Sequence, residues 1–329
     1  MHSIPKKEDA RQRAWEIRQQ HDSRIWFSAP GSKHYESRRF RNTPHSFAHV
    51  SITGHACALR CEHCNAGLLR AMLPAETPEK LRDAADRLTD RGCRGILVSG
   101  GADSSGEVPL HDFMRAIAYA RKKGLKVLVH TGLLTKETAA ELKDCGVNQI
   151  LVDIIGHEQT IRDVYHLDRT PEDYLRSMMI CREAGIDFAP HVVIGLHYGR
   201  ILGEYEALKM IHRAQPKTIV MVILAPMPGT PMSTVNLPGL SDVENVMAFA
   251  RVLNPDAFLS LGCAKPAGEY KRQTEMLAIE NGFDGIAFPS DEAIDYACRQ
   301  GRVPVFTEIC CSMAGNRHDR PDARQEHSG

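Results

Sequence analysis

The sequence predicts an α/β protein whose core is a (β/α)8 TIM-type barrel, with an N-terminal helical extension and a C-terminal segment over the barrel mouth. Three observations carry this prediction. From about His49 onward, short β-branched apolar runs alternate with longer stretches of helical spacing, as repeated βα units require. Eight such runs can be counted, and no long mid-sequence crossover of the kind that marks a doubly wound open sheet divides them. Finally, 329 residues, 43% apolar and 25% charged, are enough to bury one large core.

Taken in order, residues 1–48 precede the barrel as a cap or lid, with an Arg/Gln/Glu-rich helical stretch and a turn at Ala29, Pro30 and Gly31. The barrel occupies 49–301, with strands predicted at 49–54, 95–101, 126–132, 149–156, 187–197, 218–226, 257–263 and 284–289. The intervening segments, such as PEKLRDAADRLTDRG and PEDYLRSMMICREAG, open near Thr, Pro, Asp or Glu and finish on Gly, as helix capping requires. Residues 302–329 give VFTEICCSM, apolar enough to dock, and then a polar tail expected to be disordered.

Charge and composition narrow the function. Lys+Arg and Asp+Glu both total 41, so no excess positive field favours nucleic acid. No apolar run approaches the ~18 residues needed to span a membrane. The N-terminus carries charge throughout and lacks the apolar core of a secretory signal, which points to the cytoplasm. In that reducing compartment the ten cysteines are not read as five disulfides; metal ligation, redox chemistry or core packing compete.

Directly after the first strand, ITGHACALRCEHCNAG places Cys57, Cys61 and Cys64 in C-x3-C-x2-C spacing. The loop lies at the C-terminal rim, where barrels of this kind keep their active sites. Three thiolates so spaced can hold three corners of a 4Fe-4S cluster and leave one iron open to an exogenous ligand. A zinc site that adds His55 or His63 is a second reading, and inert buried thiols are a third.

This motif, at the end of strand one of a βα barrel, resembles the radical S-adenosylmethionine (SAM) superfamily. The resemblance implies a 4Fe-4S cluster with SAM on its open iron, cleaved reductively to a 5'-deoxyadenosyl radical that abstracts hydrogen from unactivated carbon. It further implies a SAM site residue by residue. Ser99, Gly100, Gly101 and Asp103, at the end of strand two, resemble the family's Gly-Gly-Glu segment, with the acid one place late. Asp153 ends strand four where the family places a polar contact to SAM, Gly195 resembles the strand-five glycine beside the adenine, and His63 stands at the adenine-contacting position.

PMPGTP after strand six and LGCAKP on strand seven resemble the biotin synthase and lipoyl synthase branch, which inserts sulfur. The positions matching biotin synthase's second-cluster cysteines hold none here. Instead Cys263, Cys310 and Cys311 are candidates for a second 4Fe-4S cluster, against a reading in which they only pack. Cys93, Cys145, Cys181 and Cys298 fall within or at the ends of helical stretches and read as packing residues.

The resemblance extends to two-component lipoyl synthases, so the leading expectation is sulfur insertion into an octanoyl chain on a carrier protein. A ferredoxin or flavodoxin donor and a second radical SAM component are the implied partners. A radical SAM mutase or lyase acting on an amino acid is the alternative, and a zinc-stabilised binding protein the remote one. His130 and Thr131, ending strand three, are the expected catalytic residues. His157, Tyr165, His166, Arg169, His191, His197, Lys265 and Arg272 are further rim candidates.

Overall fold

A computed structural model describes residues 7–315. The polar tail at 316–329, expected to be disordered, lies outside the described residues. All eight predicted barrel strands are present, and most are trimmed at their ends. They are β2 (Phe47–Ser51), β4 (Gly95–Ser99), β5 (Lys126–His130), β6 (Gln149–Asp153), β7 (Phe188–Ile194), β8 (Thr218–Ile223), β9 (Phe258–Leu261) and β10 (Gly285–Ala287). Each is parallel to its neighbours.

Three further strands join them: β1 (Arg24–Ser28), β3 (Leu73–Pro74) and β11 (Val303–Thr307). The order is β11-β1-β10-β9-β8-β7-β6-β5-β4-β2-β3, so β10 does not meet β2 as a strict eight-strand ring demands. β1 from the N-terminal extension pairs with β10, and β11 pairs with β1. Both runs, RIWFS and VPVFT, are short and flanked by polar residues, which hides them in a count of βα units. Beyond β11 the gap is bridged by a side chain: Glu308 accepts the Thr43 N–H and pairs with Arg94, just before β4.

The helices cover the outside. They are α1 (Lys7–Gln19), α2 (Pro78–Asp90), α3 (Met114–Lys122), α4 (Lys136–Asp144), α5 (Glu158–Tyr165), α6 (Pro171–Ala184), α7 (Glu204–Ala214), α8 (Leu240–Leu253), α9 (Gly268–Glu280) and α10 (Asp291–Arg299). The predicted caps operate, Thr77 accepting from Lys80 N–H and Thr135 from Thr138 N–H, and Ser290 likewise accepts from Ala293 N–H. Thr170 and Asp173 form a capping box ahead of α6, which Gly185 terminates at φ 63°. The helical extension exists as α1, tied beneath the barrel by Arg18 and by the Arg251–Asp284 pair.

The C-terminal segment departs from expectation. It was expected over the barrel mouth, but it contacts the opposite end of the strands. Ser312 O accepts from Gln149 Nε2, at the first residue of β6, and Gly315 packs on Phe258, the first residue of β9. Cys311 and Met313 join Phe47, Leu128, Leu151, Ala189 and Val220 in the inward-facing core. After β11 the chain is held by Glu308 to Thr43 and Arg94, which precede β2 and β4, so the apolar ICCSM run that follows is buried at that end of the strands.

Candidate functional site

The cysteine loop leaves β2 at Ser51, whose hydroxyl donates to Gly54 O at 2.7 Å. Thr53 then clamps two segments together: its hydroxyl donates to Ala56 O (2.9 Å) and accepts from Gly101 N–H (2.7 Å). Ala58 N–H reaches across to Ala102 O at 2.9 Å. The approach at Gly101 admits no side chain, since a Cβ there would lie 2.0 Å from Ala56 O and 2.5 Å from the Cys57 Cα. Ser99 is buried and its carbonyl takes the Ile52 N–H, while Gly100 faces Thr53 at a distance that leaves little room for a Cβ.

Further along, Cys64 N–H and Asn65 N–H both donate to Cys61 O, at 3.1 and 2.8 Å, tightening the turn. Arg60, Asn65 and Ala66 carry positive φ (43°, 43° and 59°), a backbone cost of about 1 kcal/mol or more each that the surrounding bonds must hold. Glu62 supplies two of them, donating its N–H to Val164 O and accepting from Met232 N–H. The loop is thus locked to β4, α5 and the segment after β8.

The ligand atoms of Cys61, His63 and Cys64 lie within 4.8 Å of one another, and among the described residues no other such trio of His, Cys, Asp or Glu is found. A hydrogen bond from Cys61, with help from His63 and the Ala66 N–H, pulls the Cys64 thiol toward its thiolate, and the same bond together with burial pushes Cys61 the other way. His63 Nδ1 and the Tyr165 hydroxyl are both buried without a hydrogen-bond partner, their rings 5.3 Å apart. Buried polar atoms are rarely left unpaired, so their position beside the thiols marks space for another group. Three soft sulfur donors with Cys57 on the same loop fit an iron–sulfur cluster, and the orphaned pair fits a polar molecule bound next to it.

The other site residues fall into three places. Asp153, at the end of β6, faces His130 at the end of β5, with Nε2 to Oδ1 3.6 Å. Burial opposes the Asp153 charge, but His130 overcomes it and holds the carboxyl down at about 2. Thr131 turns away: it is 1% exposed and its hydroxyl donates to Gly132 O. Asp103 spends its carboxylate on its own turn, accepting from Ser105 N–H, Ser105 Oγ and Glu107 N–H. Gly195 (φ 80°) backs onto Pro238, and its N–H donates to buried Glu204 at 2.8 Å.

Cys263, just beyond β9, is solvent-accessible yet surrounded by protein, so it lines an interior space. Burial raises its thiol, and Cys310 adds to the effect. Cys310, hydrogen-bonded by Cys311 and by Ser312 Oγ (3.4 Å), is drawn toward thiolate. The three stand farther apart than the Cys61, His63 and Cys64 trio. Cys93 and Cys181 are buried packing residues, and Cys145 bonds to Met114 O. Cys298 is half-buried within α10.

Several rim candidates have structural work. His157 caps α5 through Nδ1, His197 is buried against Thr160 Oγ1, and His166 pairs with Glu62 at 3.2 Å. Arg169 donates to Ser105 O, and Arg272 pairs with Glu269. Lys265 is buried, bonded to Gly262 O and Ala287 O and paired with Glu275 at 3.4 Å. Reasoning from sequence missed Thr53 and Glu204. The first had a signal in the Thr-Gly turn that opens the cysteine loop, whereas the second, nine residues from its glycine, had none.

A family model described as the radical SAM superfamily matches residues 51–214. Biotin synthase of Nitrosopumilus maritimus is 24% identical over 244 residues, covering 72% of this chain and 73% of that protein. Biotin synthase of Aromatoleum aromaticum is 26% identical over 243 residues, covering 70% and 71%. Among solved structures, methylornithine synthase (PylB) is similar with a TM-score of 0.58 at 14% identity, over 92% of this chain and 91% of that one. The hydrogenase maturase HydG from Carboxydothermus hydrogenoformans reaches 0.61 at 15% identity, over 94% and 74%. At such identities these structures bear on the fold alone.

Proposed function

Because this chain belongs to the radical SAM superfamily, in its biotin synthase-like branch, we propose that it inserts sulfur into an unactivated C–H bond of a protein-bound octanoyl group, as a lipoyl synthase component. When bound, a 4Fe-4S cluster carrying SAM supplies a 5'-deoxyadenosyl radical as hydrogen abstractor. Cys57, Cys61 and Cys64 would hold that cluster, with Thr53 and Gly101 fixing the loop. His63, Tyr165 and Asp153 are the polar groups available to SAM beside it.

A sulfur-inserting enzyme needs a sulfur source, and the observation that carries this reading is the second thiol set. Cys263 and Cys310 lie near enough that each would feel the other's charge, inside the barrel whose mouth bears the first three cysteines. Cys263, Cys310 and Cys311 are assigned here to an auxiliary 4Fe-4S cluster. Cys263 descends from the mouth end and the other two rise from the plug, so bringing them onto one cluster requires the plug to adjust. A ferredoxin or flavodoxin delivers the electron, and a second radical SAM component completes the two insertions.

The test is direct. Anaerobically reconstituted full chain is incubated with dithionite, SAM and an octanoyl-lysyl peptide, then examined by mass spectrometry and iron analysis. A peptide that gains sulfur, with about eight iron atoms per chain falling to about four in a Cys263→Ala/Cys310→Ala variant, supports the reading. An unchanged peptide despite SAM cleavage removes the octanoyl substrate in favour of a mutase or lyase. Iron content unaffected by the double substitution removes the auxiliary cluster.

A further inference from the structure

Inside the barrel, β5 and β6 each end by turning a polar side chain inward, His130 and Asp153, and the middle of β7 adds His191, in register with Asp153. They stand two residues beyond Leu128, Leu151 and Ala189, which belong to the inward-facing core, so strand alternation places all three on the same face. The rings of His130 and His191 lie 6.3 Å apart at 65°. The side chains of His130 and Asp153 are 27% and 33% accessible although protein surrounds them, so they border an interior space and not the outer surface.

Hydrogen bonding fixes what this layer presents. His191 Nδ1 lies 3.0 Å from Ala189 O, and a carbonyl can only accept, so the ring carries its proton on Nδ1. Burial holds this imidazole down at about 4, so the ring is neutral and Nε2 is left as a bare acceptor. His130 points Nε2 at Asp153, whose carboxylate demands a proton there. Beside that carboxylate the imidazolium is favoured, and His130 Nδ1–H remains a donor. Neither His130 Nδ1 nor His191 Nε2 has a hydrogen-bond partner among the described residues. Leu97 and Val193, packed against the same core, give the walls an apolar character.

One donor and one acceptor on inward-facing rings 6.3 Å apart, beside apolar side chains, match a secondary amide attached to an alkyl chain. The amide carbonyl takes the His130 proton while the amide N–H donates to His191, and an ester or a carboxylate can satisfy only the first. We propose that His130 and His191 together recognise the amide through which the acyl substrate is carried, and so discriminate an acyl-lysine from an acyl ester or a free acid. This rests on the acyl-substrate reading given above and names its specificity determinant. The layer takes no part in bond making: it positions the chain.

The experiment is equilibrium binding to the full, reconstituted, SAM-loaded chain. The probes are an octanoyl-lysyl peptide, the isosteric peptide in which oxygen replaces the amide N–H, and free octanoate. The amide is expected to bind at least about tenfold more tightly than the ester, because the ester leaves His191 Nε2 unpaired. His191→Leu should bring amide and ester to equal affinity without weakening the ester, and His191→Gln, which keeps an acceptor, should restore discrimination. Unchanged iron content and an unchanged far-ultraviolet spectrum show that each variant is folded. Equal binding of amide and ester to the wild-type chain, or equal weakening of both by His191→Leu, overturns the amide assignment alone. Binding of none of the three overturns the acyl-substrate reading and this inference with it.

Discussion

Gly101 and Cys57 pack backbone against backbone, so closely that a methyl group on the first would lie 2.5 Å from the Cα and the Cβ of the second. The end of β4 is therefore part of the mould that shapes the cysteine loop. Gly101→Ala must push Cys57 out of place. We expect the purified variant to fold, with a far-ultraviolet spectrum like that of the wild type, but to bind substantially less iron and sulfide at the loop. Full iron occupancy in Gly101→Ala would show that the loop tolerates the shift.

The ten cysteines should separate into ligands and packing residues. Removing Cys57, Cys61 or Cys64 is expected to abolish 5'-deoxyadenosine formation. Cys181→Ala, deep in α6 and fully buried, should leave iron and SAM cleavage intact while lowering stability by about 1 kcal/mol through lost packing. Denaturant melts alongside product assays distinguish the two classes.

Below the barrel, Asp284 is enclosed by Arg251, Arg18 and His21 and also accepts the Leu259 N–H at 2.9 Å. Burial opposes its charge, but the arginines prevail and hold its carboxyl at about 2, below the ordinary 3.8. A depressed carboxyl stabilises the fold above its unfolded value and loses that contribution as pH falls toward the folded one. Acid melts should show this contribution, about 2 kcal/mol, fading between pH 4 and 2. Asp284→Asn should cost about 3–5 kcal/mol at neutral pH by leaving buried arginines unpaired. A variant as stable as wild type at pH 7 would refute the role of this network.

Ser290 performs two tasks, accepting the Ala293 N–H as the cap of α10 and donating to buried Glu275 at 2.7 Å. Ser290→Ala removes both. A loss of about 1–3 kcal/mol is expected in urea denaturation, larger than a cap alone accounts for. Ser290→Thr, which keeps the hydroxyl, should recover most of it.

Much of the barrel was legible because its signals are local. The eight βα strands follow from apolar runs between capped helices, and the Cys57, Cys61 and Cys64 loop from spacing at a strand end. What was hidden depends on long-range pairing. The RIWFS and VPVFT strands are meaningful only beside one another and β10, some 260 to 280 residues apart in the chain. The placement of Cys310 and Cys311 at the far end of the barrel rests on equally distant partners, Thr43 and Arg94 for Glu308 and Gln149 for Ser312, and not on any local pattern. Thr131 lies one residue past the end of β5, and its hydroxyl turns back to Gly132 O while His130 faces Asp153.

The interlock of β1 with β11 has a consequence for how the protein is made. Residues 24–28 leave the ribosome some 260 to 280 residues ahead of their partners, 285–287 and 303–307. That ribbon must wait, unpaired, while the whole intervening stretch is made. The chamber therefore gains its floor last, and iron delivered to the cysteine loop before that moment would enter a vessel still open at the base.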